Sequence, residues 1–212
     1  MSARRALRLA FGDLYQNSWR LLVLNAALGA VLVFSVVAAI AVHALLVLAV
    51  LAGPLATALA YCSVTLVRTG YLTLADAWDG LRLHWRRGLA LGAAGVALGV
   101  LAALAVHFYT RSNAGWPLAF LTLYLVVLLG LYAVVLMTFA VAEPRESLRV
   151  VAREAATVWA QRPGATLLLG LALLLVNLVG VAAAVMPFLT ITVAYSFVAV
   201  AHFVLPREAR EV

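Results

Sequence analysis

Residues 53–87 read GPLATALAYCSVTLVRTGYLTLADAWDGLRLHWRR, and how this stretch is parsed sets how the whole chain is parsed. Gly53-Pro54 is a break that either kinks an apolar helix or opens its regular part, because proline cannot donate to a preceding helical turn. The helix carries a thin polar stripe and ends on Arg68. Gly70 then turns the chain, and an amphipathic segment studded with Trp78, Trp85 and arginines follows. The apolar part reads as a membrane span and the amphipathic part as a helix lying at the membrane surface.

Composition points to the same class. Of 212 residues, 67% are hydrophobic and 11% charged, whereas a soluble domain is about half apolar and about a quarter charged. A water-soluble fold of this size cannot hide so much apolar surface, so the chain is expected to be an all-α integral membrane protein. Cys62 is the single cysteine, which excludes an internal disulfide and a cysteine-rich metal motif. The net charge of +7 comes from arginines alone, with no lysine. It reads as basic residues collected on cytoplasmic loops rather than as a nucleic-acid surface. No signal peptide is evident, since Asp13, Gln16, Asn17 and Arg20 interrupt the apolar core it would need.

Upstream, residues 2–20 place Leu7, Phe11, Leu14 and Tyr15 at helical spacing, with Arg4, Arg5, Arg8, Asp13, Gln16 and Arg20 mostly opposite. This predicts a first interfacial helix. The charge-free run 21–67 would be roughly 70 Å long as one helix, over twice the ~30 Å hydrocarbon core. It must fold back once, near His43, giving spans near 21–42 and 45–68. Downstream, Thr73 begins a second interfacial helix with Asp76 as its capping partner. Leu74, Trp78, Leu81 and Trp85 form its apolar face, and Asp76, Asp79, Arg82 and Arg86 the other. Spans near 88–108 and 117–142 follow. Pro144 suits the first turn of a third interfacial helix, with Leu148, Val151, Ala152, Ala155 and Trp159 as its apolar stripe and Arg149 and Arg153 opposite. Pro163-Gly164 ends it. A turn at Pro187 divides the last charge-free run into spans near 165–185 and 188–205, before the polar tail of Arg207, Glu208, Arg210 and Glu211.

The expected architecture is six transmembrane helices as three hairpins, each preceded by a cytoplasmic interfacial amphipathic helix. Arginines cluster at the N-terminus, between spans two and three, between four and five, and at the C-terminus, while the other connections hold only Arg111. The positive-inside rule then puts both termini in the cytoplasm, with anionic lipid headgroups as partners of the arginines. Trp19, Trp85 and Trp159 each sit near the end of an interfacial helix and are followed by Arg20, Arg86 and Arg162. A threefold repeat over 1–70, 71–142 and 143–206 within a single domain would explain this. So would the general placement of Trp and Arg at cytoplasmic interfaces.

For chemistry, Thr57, Tyr61, Thr65 and Arg68 share one face of the second span, Thr192, Tyr195 and Ser196 lie with His202 broadly on one side of the sixth, and Asn177 sits within the fifth. Hydroxyls and amides cannot face lipid without a partner, so these faces should point inward. They form either a polar groove between spans two, five and six or plain interhelical hydrogen bonds. No acidic or basic residue lies well inside a span, which argues against a proton- or ion-coupled transporter. His43 and His107 map to the outer ends of spans, but no carboxylate lies there to complete a metal site. His84 reads as a headgroup contact beside Trp85. No H-E-x-x-H, G-x-S-x-G or phosphate-binding glycine loop is present, so an enzyme is disfavoured and no cofactor is expected. The G-x-x-x-G at Gly95–Gly99 could draw two helices together.

Gly53, Pro54, Ala58, Leu59, Tyr61, Arg68 and Gly70 form a G-P-x-x-x-A-L-x-Y…R-x-G pattern that resembles the YesL-like family of bacterial membrane proteins. Trp78, Leu81 and Trp85 stand where that family tends to have Phe. Gly12-Asp13-Leu14 is similar to its opening, with Asn17 or Asn25 as its early Asn, and Pro187 fits its late hairpin. The family has no assigned activity, and the resemblance carries over no catalytic residue. It implies a polytopic inner-membrane protein with an accessory role in carbohydrate uptake. Three functional expectations follow: an accessory or scaffolding component docked on an ABC-type permease, a small-molecule or lipid transport subunit that uses the polar groove, and, disfavoured, a lipid-active enzyme. A homo-oligomer is compatible with the first two.

Overall fold

The computed structural model describes residues 2–16, 18–111, 115–182 and 191–205. Asn17, Asn113, Pro187 and the polar tail lie outside them, as does most of the expected turn between the last two spans. The elements are α1 Ala3–Gln16, α2 Ser18–Ala41, a 3-10 segment His43–Leu51, α3 Ala52–Thr69, α4 Leu74–Arg111, α5 Gly115–Ala142, α6 Leu148–Gln161, α7 Pro163–Ala182 and α8 Val193–Val204. No strand occurs among the described residues. Five segments are long and apolar enough to cross a bilayer: Trp19–Ile40, Val47–Thr69, Leu74–Arg111, Gly115–Ala142 and Pro163–Gly180. The chain is a helical membrane protein. The apolar α8 has 12 residues, about 18 Å of helix against a ~30 Å core.

Several boundaries follow from local chemistry. Val42 is extended (φ −138°, ψ 107°) and ends α2 where the turn near His43 was expected. The 3-10 segment then packs back along α2. Pro54 lies in the first turn of α3, where its missing N–H costs nothing. Gly70 takes the left-handed conformation (φ 76°) that ends helices at low cost, and its N–H donates to the Leu66 carbonyl at 2.8 Å. Thr73 and Asp76 form a reciprocal capping pair: the Thr73 N–H donates to Asp76 Oδ2 at 2.6 Å and the Asp76 N–H to Thr73 Oγ1 at 3.2 Å.

Other boundaries differ from expectation. The amphipathic segment from Leu74 and the third span are one continuous helix of 38 residues, with no break at the membrane surface. His84, Arg86, Arg87 and Gly88 offer a helix stop signal, but Gly88 is used instead to pack on Pro54 and Thr57, and the helix runs on through it. Pro144 lies in a turn, and α6 starts after Ser147, whose Oγ accepts from the Val150 N–H at 3.5 Å. Pro163 ends α6 and is itself the first residue of α7.

α3 is the hub. It is apolar on most sides and packs most extensively against α4, then α8, α5 and α2. Along the α3–α4 contact, Gly53 lies against the backbone of Gly88 and Gly92, Gly88 against Pro54 and Thr57, and Gly80 against the Tyr61 ring. The buried stripe of α4 is therefore Ala77, Gly80, His84 and Gly88, while Trp78 is 65% exposed and Trp85 and Leu74 also face outward. α1 behaves the same way. Ala3, Ala6 and Ala10 are buried, Leu7 and Leu14 are partly buried, and Phe11 and Tyr15 point outward beside Arg4 and Arg8. Both helices were expected to turn their large apolar face to the acyl boundary, and Phe11, Tyr15, Trp78 and Trp85 do face out of the protein; the face that packs on neighbouring helices is the small one. Among lipid tails a bulky apolar ring gains little by turning inward, whereas small residues let backbones approach closely. The pair that does this in α4 is Gly88–Gly92. Gly95 and Gly99 have open space where their side chains would be.

Candidate functional site

The eight residues expected to line one groove are placed in four settings. Thr57 and Tyr61 face α4. The Thr57 hydroxyl donates to the Pro54 carbonyl at 2.9 Å, and the Tyr61 ring packs on Gly80 and against His84, with ring centroids 5.8 Å apart. Thr65 accepts at its carbonyl from Thr69 Oγ1 at 2.9 Å. His84 is 2% exposed within this contact, which excludes its expected role as a headgroup contact. Its Nε2 has no hydrogen-bond partner among the described residues.

The second setting joins α7 to α8. Asn177 Nδ2 donates to Ser196 Oγ and to the Leu173 carbonyl, each at 2.8 Å, and Ser196 Oγ donates to the Thr192 carbonyl at 2.8 Å. Thr192 Oγ1 and Asn177 Oδ1 are buried without a hydrogen-bond partner among the described residues. No hydrogen bond links this cluster to Thr57 or Tyr61 among the described residues.

The third setting docks α1. The Tyr195 hydroxyl donates to the Leu7 carbonyl at 3.1 Å, and His202 Nε2 lies 2.6 Å from Asp13 Oδ2. The sequence separations are 188 and 189 residues, so no local pattern announces the pair. Removing both bonds with a Tyr195→Phe, His202→Leu double variant is expected to release α1 by about 2 kcal/mol, at roughly 1 kcal/mol per net hydrogen bond. Amide hydrogen exchange across residues 3–16 checks this: it should rise roughly thirtyfold while exchange in α3 stays unchanged.

Arg68 stands in the fourth setting, a cleft of about 440 Å³ where the ends of α3, α5 and α8 meet α6. Glu143 and Glu154 line it together with Thr157, and Phe139, Val158 and Leu205 supply apolar walls. The Thr157 hydroxyl is already donated to the Arg153 carbonyl at 2.8 Å.

The cleft rests on a residue that sequence reasoning passed over. Arg87 of α4 reaches across to the end of α5. Its Nη1 donates to the Ala140 carbonyl, and its Nη2 donates to the carbonyls of Pro144 and Glu146, each at 2.6 Å. Ala140 is among the last carbonyls of α5, which lack internal partners, and Pro144 and Glu146 lie in the turn beyond; one guanidinium from another helix donates to all three. Nothing in the run Arg86-Arg87 distinguishes the two side chains. Only the fold turns Arg87 inward and leaves Arg86 over the Trp85 ring, 5.4 Å from its centroid.

The three tryptophans of the proposed repeat also part ways. Trp19 carries Arg20 at 5.2 Å as Trp85 carries Arg86, and both rings face outward. Trp159 instead packs edge-on to Tyr132, with centroids 6.2 Å apart. The Tyr132 hydroxyl donates to the Ala152 carbonyl at 2.8 Å, fixing α6 on α5. Among the described residues no three His, Cys, Asp or Glu side chains converge as a metal site, and the side chain of His43 lies outside them.

No protein-family model, no curated protein and no solved structure matches this chain.

Proposed function

We propose that the protein is an accessory or scaffolding component of the bacterial inner membrane, with six spans as three hairpins and both termini cytoplasmic, docked on a carbohydrate permease of the ABC type. The observation that carries the docking reading is the outward face of α4. None of the residues in its most apolar stretch is buried inside the chain, and Gly95 and Gly99 lie open on it. Small residues on a membrane-embedded face are what a second helix needs for close approach. The polar residues of the spans are spent largely on contacts within the chain, in keeping with a structural role. The permease as partner rests on the resemblance to the YesL-like family.

A second reading, transport of a small molecule or lipid, draws on Thr192 Oγ1 and Asn177 Oδ1, which lack partners among the described residues. Purification in mild detergent followed by native mass spectrometry separates the two. A stoichiometric permease or ATPase subunit, lost from the Gly95→Leu, Gly99→Leu double variant but kept by Asn177→Leu, is the expected result. A lone chain or homo-oligomer holding a small molecule that Asn177→Leu releases would sink the scaffolding reading.

A further inference from the structure

The cleft at the ends of α3, α5 and α8 has a charge pattern that neither reading above uses. One guanidinium, Arg68, faces two carboxylates, Glu143 and Glu154. Among the described residues none of the three is in a salt bridge, and all three are exposed. Among the described residues that line the cleft, carboxylates therefore outnumber guanidiniums two to one, in a chain whose net charge is +7. An anionic ligand would meet repulsion from the second carboxylate, and a simple cation would leave Arg68 unanswered. A ligand bearing both an anion and an ammonium answers all three groups.

The walls narrow the class further. Phe139 lies one turn deeper along α5 than Glu143, and Val158 and Leu205 complete an apolar side. A soluble zwitterion has no use for that side. A glycerophospholipid does, because its glycerol and first acyl carbons continue from the headgroup into the bilayer. The cleft also lies where the ends of three apolar helices and amphipathic α6 contribute lining residues, which is headgroup depth for a protein of this class. We infer that this cleft binds a phospholipid whose headgroup carries an ammonium beyond its phosphate, the chemistry of phosphatidylethanolamine. The phosphate lies on Arg68, the ammonium between Glu143 and Glu154, and the acyl root on Phe139 and Leu205. This is separate from the cationic groove of Ser2, Arg4, Arg5, Arg8 and Leu9 on α1, which suits anionic headgroups.

The test uses the full chain exchanged into equimolar phosphatidylethanolamine and phosphatidylglycerol, with retained lipids counted by native mass spectrometry. Retention of phosphatidylethanolamine is expected to exceed that of phosphatidylglycerol by roughly fivefold, the scale of exposed charge pairs. The preference should fall to parity in Arg68→Ala. Glu154→Lys lies on the exposed face of α6, leaves packing untouched, and should turn the preference toward phosphatidylglycerol. Parity in the parent chain, or a preference unmoved by Glu154→Lys, overturns the inference. Displacement of the lipid by soluble phosphoethanolamine at matching concentration would also overturn it and assign the cleft to a water-soluble zwitterion.

Discussion

Gly53→Leu is expected to abolish recovery of folded, monodisperse protein, and even Gly53→Ala is expected to cost about 3 kcal/mol, the upper part of the range for overpacked cores. A Cβ at this position would stand 2.1 Å from the Gly88 carbonyl oxygen and 2.7 Å from the Gly92 Cα. Both are backbone atoms, so no rotamer change relieves the clash, and α3 and α4 must separate along their most extensive contact. The controls lie one and two turns beyond Gly92. Gly95→Ala and Gly99→Ala meet nothing within 4 Å and should be neutral or stabilising by up to about 1 kcal/mol, because alanine loses less backbone freedom in a helix. Unfolding midpoints in mixed detergent micelles compare the three. Equal midpoints for Gly53→Ala and Gly95→Ala would show that the helices do not meet as described.

The second large effect is expected at Arg87. Arg87→Ala removes hydrogen bonds from one guanidinium to the carbonyls of Ala140, Pro144 and Glu146, and should lower stability by about 2–3 kcal/mol, given that charge-assisted bonds contribute about 1.5–3 kcal/mol each and this group is only partly buried. Arg87→Lys should recover less than half, since one ammonium cannot span carbonyls that a planar fork reaches together. Arg86→Ala should stay within about 0.5 kcal/mol of the parent, because that side chain is exposed and only overlies Trp85. The same unfolding titration reads all three, and a comparable loss at Arg86 and Arg87 would remove the distinction.

Much of the fold was legible because its punctuation is local. Gly70, the Thr73–Asp76 pair, the break near His43 and the stripe of Val151 and Ala155 on α6 are fixed by residues within a few positions of one another. What could not be read is which face of a helix turns inward. In water the larger hydrophobic residues mark the buried side; here Trp78 and Trp85 of α4 and Phe11 and Tyr15 of α1 were expected toward the acyl boundary and do lie on the outside, which left the packing face of each helix unread. In a bilayer the outside is apolar as well, so size replaces hydrophobicity as the signal, and Gly80, Gly88, Ala6 and Ala10 take the inner positions.

The candidate site was legible only in part for a related reason. The spacing of Thr57, Tyr61, Thr65 and Arg68 places them on one helical face, but α3 meets different neighbours along its length. Thr57 and Tyr61 reach the glycines of α4, and Arg68 reaches the cleft beside α5, α6 and α8. Asn177 and Ser196 hydrogen-bond to each other between α7 and α8. Tyr195, assigned to the same groove, turns instead to α1. The residues that carried the family resemblance, Gly53, Tyr61 and Gly70 among them, have clear packing or turn-forming duties here, so that pattern marks the α3–α4 corner and names no ligand.

The unbroken course of α4 has a mechanical consequence. A helix of 38 residues is about 57 Å long at 1.5 Å per residue, and α3 holds it from Gly80 to Gly92. Its Trp78–Trp85 half is clamped to α3 through Gly80 and His84, so a displacement of the Arg111 end is carried along one element to the α3–α4 contact without a joint in between. No such continuous rod joins α6 to α7, which Arg162 separates.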